Sequence, residues 1–511
     1  MQAEMNLPGR IEAVLSRLEQ AGYASYVVGG AVRDCLAGRQ PHDYDLCTAA
    51  LPQQVEELFA DYHVIETGLQ HGTVTVIVEG EPVEVTTFRT EGRYSDGRRP
   101  DSVAFVSHIE EDLARRDFTV NAMAYSPIHG LCDPFGGQED LEHKQLRCVG
   151  DPDTRLQEDA LRILRALRFA AQRGYTIEPE TAAALHRNRQ RLSHVSAERI
   201  TSELLQMICG AHAGSILMAF SDIITEILPE LSPMIGFEQH NPHHKYDVWE
   251  HSVRSMESIR PEWLLRLTML FHDAGKPGTF SMDERGIGHF YGHPAVSYDI
   301  AQQAVKHLRL PVQQEQKLLY LVRHHDTPLG CTLRSVRRKL AVHGEEIYRS
   351  LLAAKKADCI GQGTAPQNLT ELLQTEALLE QVLQENSCLT RKDLAVNGHD
   401  LMEWGISGQE IGRYLSEMLN RVLDNPACNT REQLREIFDQ LQTQENHMEL
   451  TINGMSAGCC VRQVKQLLES NPAVTKAEIA LDSGRVMLYG QDIPLEQVEE
   501  TLAAAGYEVA I

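Results

Sequence analysis

The sequence predicts a multidomain α+β chain: a mixed α/β head, an all-helical body and a closing β-α-β-β-α-β unit. Period-two apolar alternation sits at the two ends of the chain, and helical periodicity fills the stretch between them. At 511 residues the chain also exceeds what one hydrophobic core supports.

In chain order, "MQAEMNLPGRIEAVLSRLEQ" is an amphipathic helix without the apolar core of a secretory signal. "YASYVVGG" is a short apolar strand running into glycines, and "GTVTVIVEGEPVEVTTFR" alternates around a turn at Gly80–Pro82, which makes a hairpin. From about 150 to 445 the pattern is helical, punctuated at Pro152, Pro179, Pro229, Pro311 and Pro366. "LLQTEALLEQVLQENS" is an amphipathic helix leading to another change of character near 390. After 446, "HMELTINGM", "CCVRQVKQLLES", "VTKAEIALDSGRVMLYG", "LEQVEETLAAAGY" and "EVAI" read strand, helix, two strands, helix, strand, the ferredoxin-like order. These changes place domain boundaries at 1–145, 146–215, 216–390, 391–446 and 447–511.

Composition narrows the setting. The chain has no apolar run near the roughly 18 residues of a membrane span, and its eleven cysteines are mostly scattered singly, as reduced thiols are. A cytoplasmic protein with no membrane partner is expected. The net charge of −24 argues against a polyanion partner only on average. Between Glu142 and Arg199 eleven Lys/Arg stand against eight Asp/Glu, so local charge there has the other sign.

Residues 27–49, "VVGGAVRDCLAGRQPHDYDLCTA", hold the densest chemistry. Asp43 and Asp45 lie two apart and point to one face of an extended chain, where their repulsion calls for a divalent cation. Gly29 and Gly30 turn a strand into a helix whose first N–H groups can meet phosphate oxygens, with Arg33 one turn in. Glu84, on "PVEVTTFR", is the candidate third carboxylate. A bare Asp-x-Asp also suits a solvated loop, and Glu84 an ordinary polar strand face; the combination points to a triphosphate and its metal ions. In "EDALRILRAL", Asp159, Arg162, Arg165 and Arg168 recur every three residues, as one helix face would. Cytosine and adenine each present an amino donor beside a ring-nitrogen acceptor. Asp159 can accept from the first and Arg162 donate to the second, while uracil and guanine fail both contacts.

"VVGGAVRD", "HDYDLCT", "EGRYSDGRRPDSVAFV", "DLARRDFTVNAMAY", "DPFGGQEDL" and "EDALRILRALRFAAQ", in this order, resemble the bacterial class II tRNA nucleotidyltransferases (CCA-adding enzymes) and their poly(A) polymerase relatives. The resemblance covers roughly residues 10–445. It implies a polymerase-β-like nucleotidyltransferase head, tRNA with ATP and CTP as partners, and magnesium on Asp43 and Asp45. It further implies Gly29, Gly30, Arg33, Arg116, Arg165 and Arg168 as nucleotide contacts, with Asp117 beside Arg116. "RTEGRYSDGRRP" resembles the flexible loop tied to the switch from C to A addition, and "LAVNGHDLMEWGISGQEIGRYLSEMLNRVL" resembles the tRNA-gripping tail.

"DVWEHSV", "LFHDAGKPG", "YGHPAVS" and "KKADCIGQG" supply His251, His272–Asp273, His293 and Asp358. This resembles the HD metal-dependent phosphohydrolase pattern, which implies a divalent ion (Mg, Mn, Ni or Co) and a second, hydrolytic activity toward phosphate ends. His324 and His325 read as surface histidines. "TINGMSAGCCVRQV" resembles the heavy-metal-associated loop Gly-Met-Thr-Cys-x-x-Cys, with Ala457 in the first cysteine's place, Cys460 in the second's and Cys459 beside it. A soft-metal site and a metal-free interaction module both remain open there. The competing functions are a poly(A) polymerase or A-adding enzyme, a phosphohydrolase with an idle head, and a metal carrier. Oligomeric state is left open.

Overall fold

The computed structural model describes residues 5–65, 72–92, 102–364, 369–385, 387–445, 447–453, 458–481, 483–490, 493–505 and 507–510. It is a mixed α+β chain in which helices predominate, and it divides into two compact units, Met1–Pro328 with Arg349–Leu372 and Leu329–Tyr348 with Leu373–Ile511.

In the first unit the alternating segments build a seven-stranded sheet. Its strands are β1 (Ser25–Val28), β2 (Asp45–Thr48), β3 (His63–Ile65), β4 (Thr73–Val78), β5 (Glu81–Thr87), β6 (Ala124–Ser126) and β7 (Gly130–Cys132), in the order β3-β4-β5-β2-β1-β6-β7. The expected hairpin is β4–β5, closed at Glu79–Gly80, both with positive φ. Alternation gives the sheet two buried faces. Val27, Leu46, Val74, Val76, Val83 and Val85 pack beneath the helix Gly9–Gln20 through Ile11, Val14 and Leu15. Tyr26, Val28, Cys47 and Phe88 pack on the other face against Ile109 and Leu113 of the helix Ile109–Ala114.

Helices follow. Pro152 and Pro179 each occupy the first helical position, where the missing N–H costs nothing, of Pro152–Glu158 and Pro179–Asn188. Pro311 stands just before Val312–His324, while Pro366 lies outside the described residues. Leu161–Arg173 packs against Ala197–Ile208, burying Ile163, Leu164, Leu167, Leu204 and Met207.

In the second unit His447–Asn453, Val474–Ala480, Arg485–Gly490 and Glu508–Ala510 form an antiparallel sheet. Sequence-ordered 1 to 4, its strands lie 2-3-1-4. The helices Gly458–Glu469 and Leu495–Ala504 bring Val464, Leu468, Val498 and Leu502 into one core with Leu450, Ile452, Val486 and Leu488. Among the described residues no helix is long and apolar enough to cross a membrane, and Cys35, Cys47, Cys132, Cys148, Cys209, Cys331, Cys359, Cys388 and Cys428 are free thiols.

Candidate nucleotidyl-transfer site and histidine–aspartate cluster

One row of paired residues crosses the sheet: Ala124, Val28, Asp45, Glu84 and Thr75. Row neighbours share a face, so Asp45 and Glu84 stand side by side on adjacent parallel strands, beside the point where β1 ends and Gly29 begins. Asp43 differs from expectation in one respect. The strand begins at Asp45, and Asp43 lies in the exposed lead-in, 3.0 Å from His42 Nδ1. Packing around Asp45 pushes its carboxyl above the ordinary value; Arg116 pulls it back, and the charge of Asp43 adds to the rise. Asp45 and Glu84 thus stand as neighbouring carboxylates, with the charge of Asp43 near enough to act on Asp45, an acidic pair that a divalent cation suits.

Gly29 supplies the turn. Its φ of 68° and ψ of −126° suit glycine alone, and a Cβ there would lie 2.8 Å from Arg116 Nη1. Arg116 also reaches Asp112 Oδ2 at 3.3 Å, and its buried Nε has no partner. Gly30 opens the helix Gly30–Leu36, and Arg33, 6% exposed, is held 2.6 Å from Asn121 Oδ1 and by the neighbouring Asp34.

Asp117 is the hub beneath these arginines. Its buried carboxylate accepts from Phe118 N (2.8 Å), Asn121 Nδ2 (3.0 Å) and Arg165 Nε and Nη2 (2.9 and 2.6 Å). Burial alone would raise its pKa, but Arg165 and the amide donors outweigh that and hold it at about 2. Arg168 binds Glu203. Arg33, Arg165 and Arg168 all lie over the ring of Phe169, at 5.3, 5.4 and 4.3 Å from its centroid. Such stacking fixes guanidinium planes at modest cost in freedom.

The base-reading helix face is not continuous. Pro152–Glu158 ends before Asp159, whose backbone is extended (φ −140°, ψ 105°), and the next helix begins at Leu161. The Asp159 side chain caps Leu161 N at 3.0 Å and accepts from Arg199 Nη2 at 2.7 Å. Arg162 points elsewhere, to Glu158 and to the carbonyls of Arg155 (2.8 Å) and Arg115 (3.1 Å). The expected Asp159–Arg162 face is thus corrected: an ion pair across to the helix Ala197–Ile208 positions Asp159. Arg199 and Phe169 escaped the sequence reading.

A second constellation lies deep in the helical part of this unit. His251 Nε2 is 3.1 Å from both Asp273 Oδ2 and Asp358 Oδ1, and 3.2 Å from His272 Nε2. His293 Nε2 lies 3.3 Å from Asp273 Oδ1 and 3.2 Å from His325 Nε2. His325 is 4% exposed, so its reading as a surface histidine is corrected. Burial and the neighbouring His272 push His325 down to about 3, leaving a neutral ring. Lys276 Nζ sits 2.6 Å from Asp273 Oδ2. His251, His272, Asp273 and Asp358 converge as a metal-ligand group would, with donor types suited to a divalent transition ion.

Three expectations fall outside the described residues: 93–100 of the flexible-loop stretch, the loop at 454–457 with Ala457, and the side chains of Cys459 and Cys460.

Residues 25–147 match the Poly A polymerase head domain, and 174–235 match the probable RNA and SrmB- binding site of polymerase A. With the carboxylate row and the Gly29 turn, these matches define a nucleotidyltransferase of the polymerase family. The CCA-adding enzyme of Levilactobacillus brevis is 33% identical over 441 residues, 85% of this chain and 98% of that one. That of Lactobacillus helveticus is 37% identical over 366 residues, 63% of this chain and 90% of its own. The solved CCA-adding enzyme of Bacillus stearothermophilus in complex with CTP superposes with a TM-score of 0.64 at 30% identity, covering 85% of this chain and 98% of that one. The chain belongs to the CCA-adding enzymes.

Proposed function

We propose that this chain completes tRNA 3′ ends by adding C, C and A from CTP and ATP without a template. The observation that carries the reading is the row placing Asp45 beside Glu84 next to the Gly29 turn and Arg116. The tRNA terminal 3′ hydroxyl releases its proton to solvent as its oxygen bonds to the α-phosphorus, the bond from that phosphorus to the α–β bridging oxygen breaks, and pyrophosphate leaves with that oxygen and the negative charge. Asp43, Asp45 and Glu84 would hold magnesium, which supplies charge neutralisation for the triphosphate when bound. Gly29, Gly30, Arg33 and Arg116 hold the phosphates. Asp159, held in place by Arg199, reads the base edge together with Arg162, which the nucleotide draws away from its resting partners, with Arg165, Arg168 and Asp117 behind them. In this reading the head is polymerase-β-like, residues 391–446 are a tRNA-binding tail, and the closing four-stranded unit is a ferredoxin-like domain of the heavy-metal-associated kind. CTP, ATP and immature tRNA meet in the cytoplasm, the compartment it assigns.

The test supplies a tRNA transcript lacking CCA with one labelled nucleotide at a time and magnesium. Incorporation of C, with U and G excluded and all incorporation lost in Asp43→Ala/Asp45→Ala, supports the reading. Equal use of all four bases contradicts it.

A second reading rests on the buried cluster: His251, His272, Asp273 and Asp358 would hold one divalent transition ion for an HD-type phosphohydrolase acting on phosphate ends. Release of phosphate from a 3′-phosphorylated transcript, lost in His251→Gln, checks it.

A further inference from the structure

Tyr291 is 78% exposed, the most exposed large apolar side chain among the described residues. Rings of this size are ordinarily drawn into a core, so one left in water at this level calls for a reason. The ring is nonetheless held. It lies parallel to the ring of His289, with 5.4 Å between centroids and 8° between planes. His289 belongs to the short hairpin of Ser281–Met282 with Gly288–His289, and its Nε2 lies 3.2 Å from Asp283 Oδ2. Asp283 is fixed in turn, its Oδ1 accepting from the backbone N–H groups of Arg285 and Ile287, both at 2.9 Å. A ring backed by an anchored ring loses little freedom when a third plane is laid on its open face.

The chain around Tyr291 sets what such a plane would meet. Gly292 has a φ of 78°, a turn that glycine takes at low cost, and it separates an outward ring from an inward one. The His293 side chain, just beyond it, is 12% exposed and reaches Asp273 of the buried cluster. Two residues span at most about 7 Å, so the exposed ring stands close to the cluster along the chain. One cavity of about 350 Å³ is lined by His289 and Tyr291 and also by His244, Asp273, Lys276 and His293.

The wall of this cavity joins two chemistries. Lys276 Nζ is held 2.8 Å from Gln239 Oε1 and 2.6 Å from Asp273 Oδ2, and the buried Nδ1 of His244 has no hydrogen-bond partner. An ammonium and an unmet ring nitrogen suit phosphate oxygens. The open face of Tyr291 suits a flat, unpaired ring. A phosphate ester without a base would leave that face unused. A base inside a duplex is already stacked on its neighbours, whereas the last base of a single strand has a face to give, and stacking on an aromatic side chain accepts any base.

We propose that Tyr291, backed by His289, is a base-binding subsite of this cavity: it stacks the terminal base of a single-stranded RNA whose 3′ phosphate enters toward Lys276 and His244. The proposal rests on the phosphohydrolase reading of the cluster given above, and it makes that activity selective for ends that carry a base.

The test uses the full chain carrying Asp43→Ala/Asp45→Ala, so that the head is idle, supplied with Mn²⁺. Two esters are compared: a 3′-phosphorylated hexaadenylate, and the same hexamer with no base on its last residue. In this parent chain kcat/KM for phosphate release is expected to favour the first ester about tenfold, through KM. Tyr291→Ala removes the advantage and Tyr291→Trp restores it. An advantage that survives Tyr291→Ala, or is absent from the parent, overturns the subsite. Binding is read without turnover on chelator-treated protein, using the hexamer with 2-aminopurine as its last base, whose fluorescence falls on stacking. The quenching is expected to weaken in Tyr291→Ala, and equal quenching in both proteins overturns the subsite. No phosphate release from either ester, with quenching that depends on Tyr291, overturns the hydrolytic reading and leaves the subsite standing. Loss of both signals overturns both.

Discussion

Asp117→Asn keeps the outline of the side chain and removes its charge, which makes it a measure of what holds the nucleotide-facing arginines. In the native protein the carboxylate accepts four hydrogen bonds, two of them from Arg165. Its pKa, held at about 2 against an ordinary 3.8, corresponds to about 2 kcal/mol of stabilisation at pH 7. An amide has one acceptor oxygen, so at least one donor then faces an NH₂ group, and a buried unmet donor costs roughly 1–3 kcal/mol more. The expected loss is about 3–5 kcal/mol, the range for breaking one side of a buried ion pair. Hydrogen exchange followed by mass spectrometry on peptides from Leu161–Arg173 and β6 reads it locally, as an acceleration of about 100-fold or more at pH 7. The pH dependence has a definite sign. A carboxylate whose folded pKa is depressed contributes fully above about 4, and that contribution is lost as pH falls toward 2. The gap between wild type and variant therefore narrows from pH 4 downward. A gap below about 0.5 kcal/mol at pH 7, smaller than one ordinary hydrogen bond, or one that widens in acid, would refute the assignment of Asp117 as the charged hub.

Glu84→Gln leaves the strand intact and removes the carboxylate paired with Asp45; C incorporation should fall about 100-fold, roughly 2.7 kcal/mol of barrier, while melting changes little. Gly29→Ala forces a side chain into a backbone region of about 1–3 kcal/mol strain and against Arg116, so KM for CTP should rise and the melting temperature fall. Arg199→Ala removes the ion pair that holds Asp159 in place. The ratio of kcat/KM for CTP over UTP should drop about tenfold, at the lower end of what one paired base contact supplies, with Arg199→Lys recovering part of it. An unchanged ratio in Arg199→Ala would mean that the ion pair serves the fold alone.

Local patterns carried much of this structure. The period-two run fixed β4 and β5 because one register buries Val74, Val76, Val83 and Val85 together. The glycine pair marked the strand-to-helix turn because only glycine takes the backbone of position 29 at low cost. The break at Asp159 was hidden by three-residue spacing, which a single helix satisfies equally well. Its available signal was an aspartate two residues before an apolar helical run, a residue type that caps N–H groups. Arg199 lies 40 residues away, and no local rule predicts such a pair. His325 was misread for its polar neighbourhood, although the phase of Leu318, Leu321 and Val322 continues to 325 and turns it to the buried side. The net charge of −24 obscured the head for a related reason. Arg33, Arg116, Arg162, Arg165 and Arg168 each rest on a carboxylate or an amide or backbone oxygen, so the basic site is locally neutral until an anion competes for it.

The central claim is tested most directly with three tRNA transcripts, ending before CCA, after C and after CC, each incubated with CTP, ATP and magnesium and read at nucleotide resolution. The account predicts that all three converge on one product ending in CCA and stop there. A growing A tail on any of them, or addition of A to the CC end alone, would contradict it.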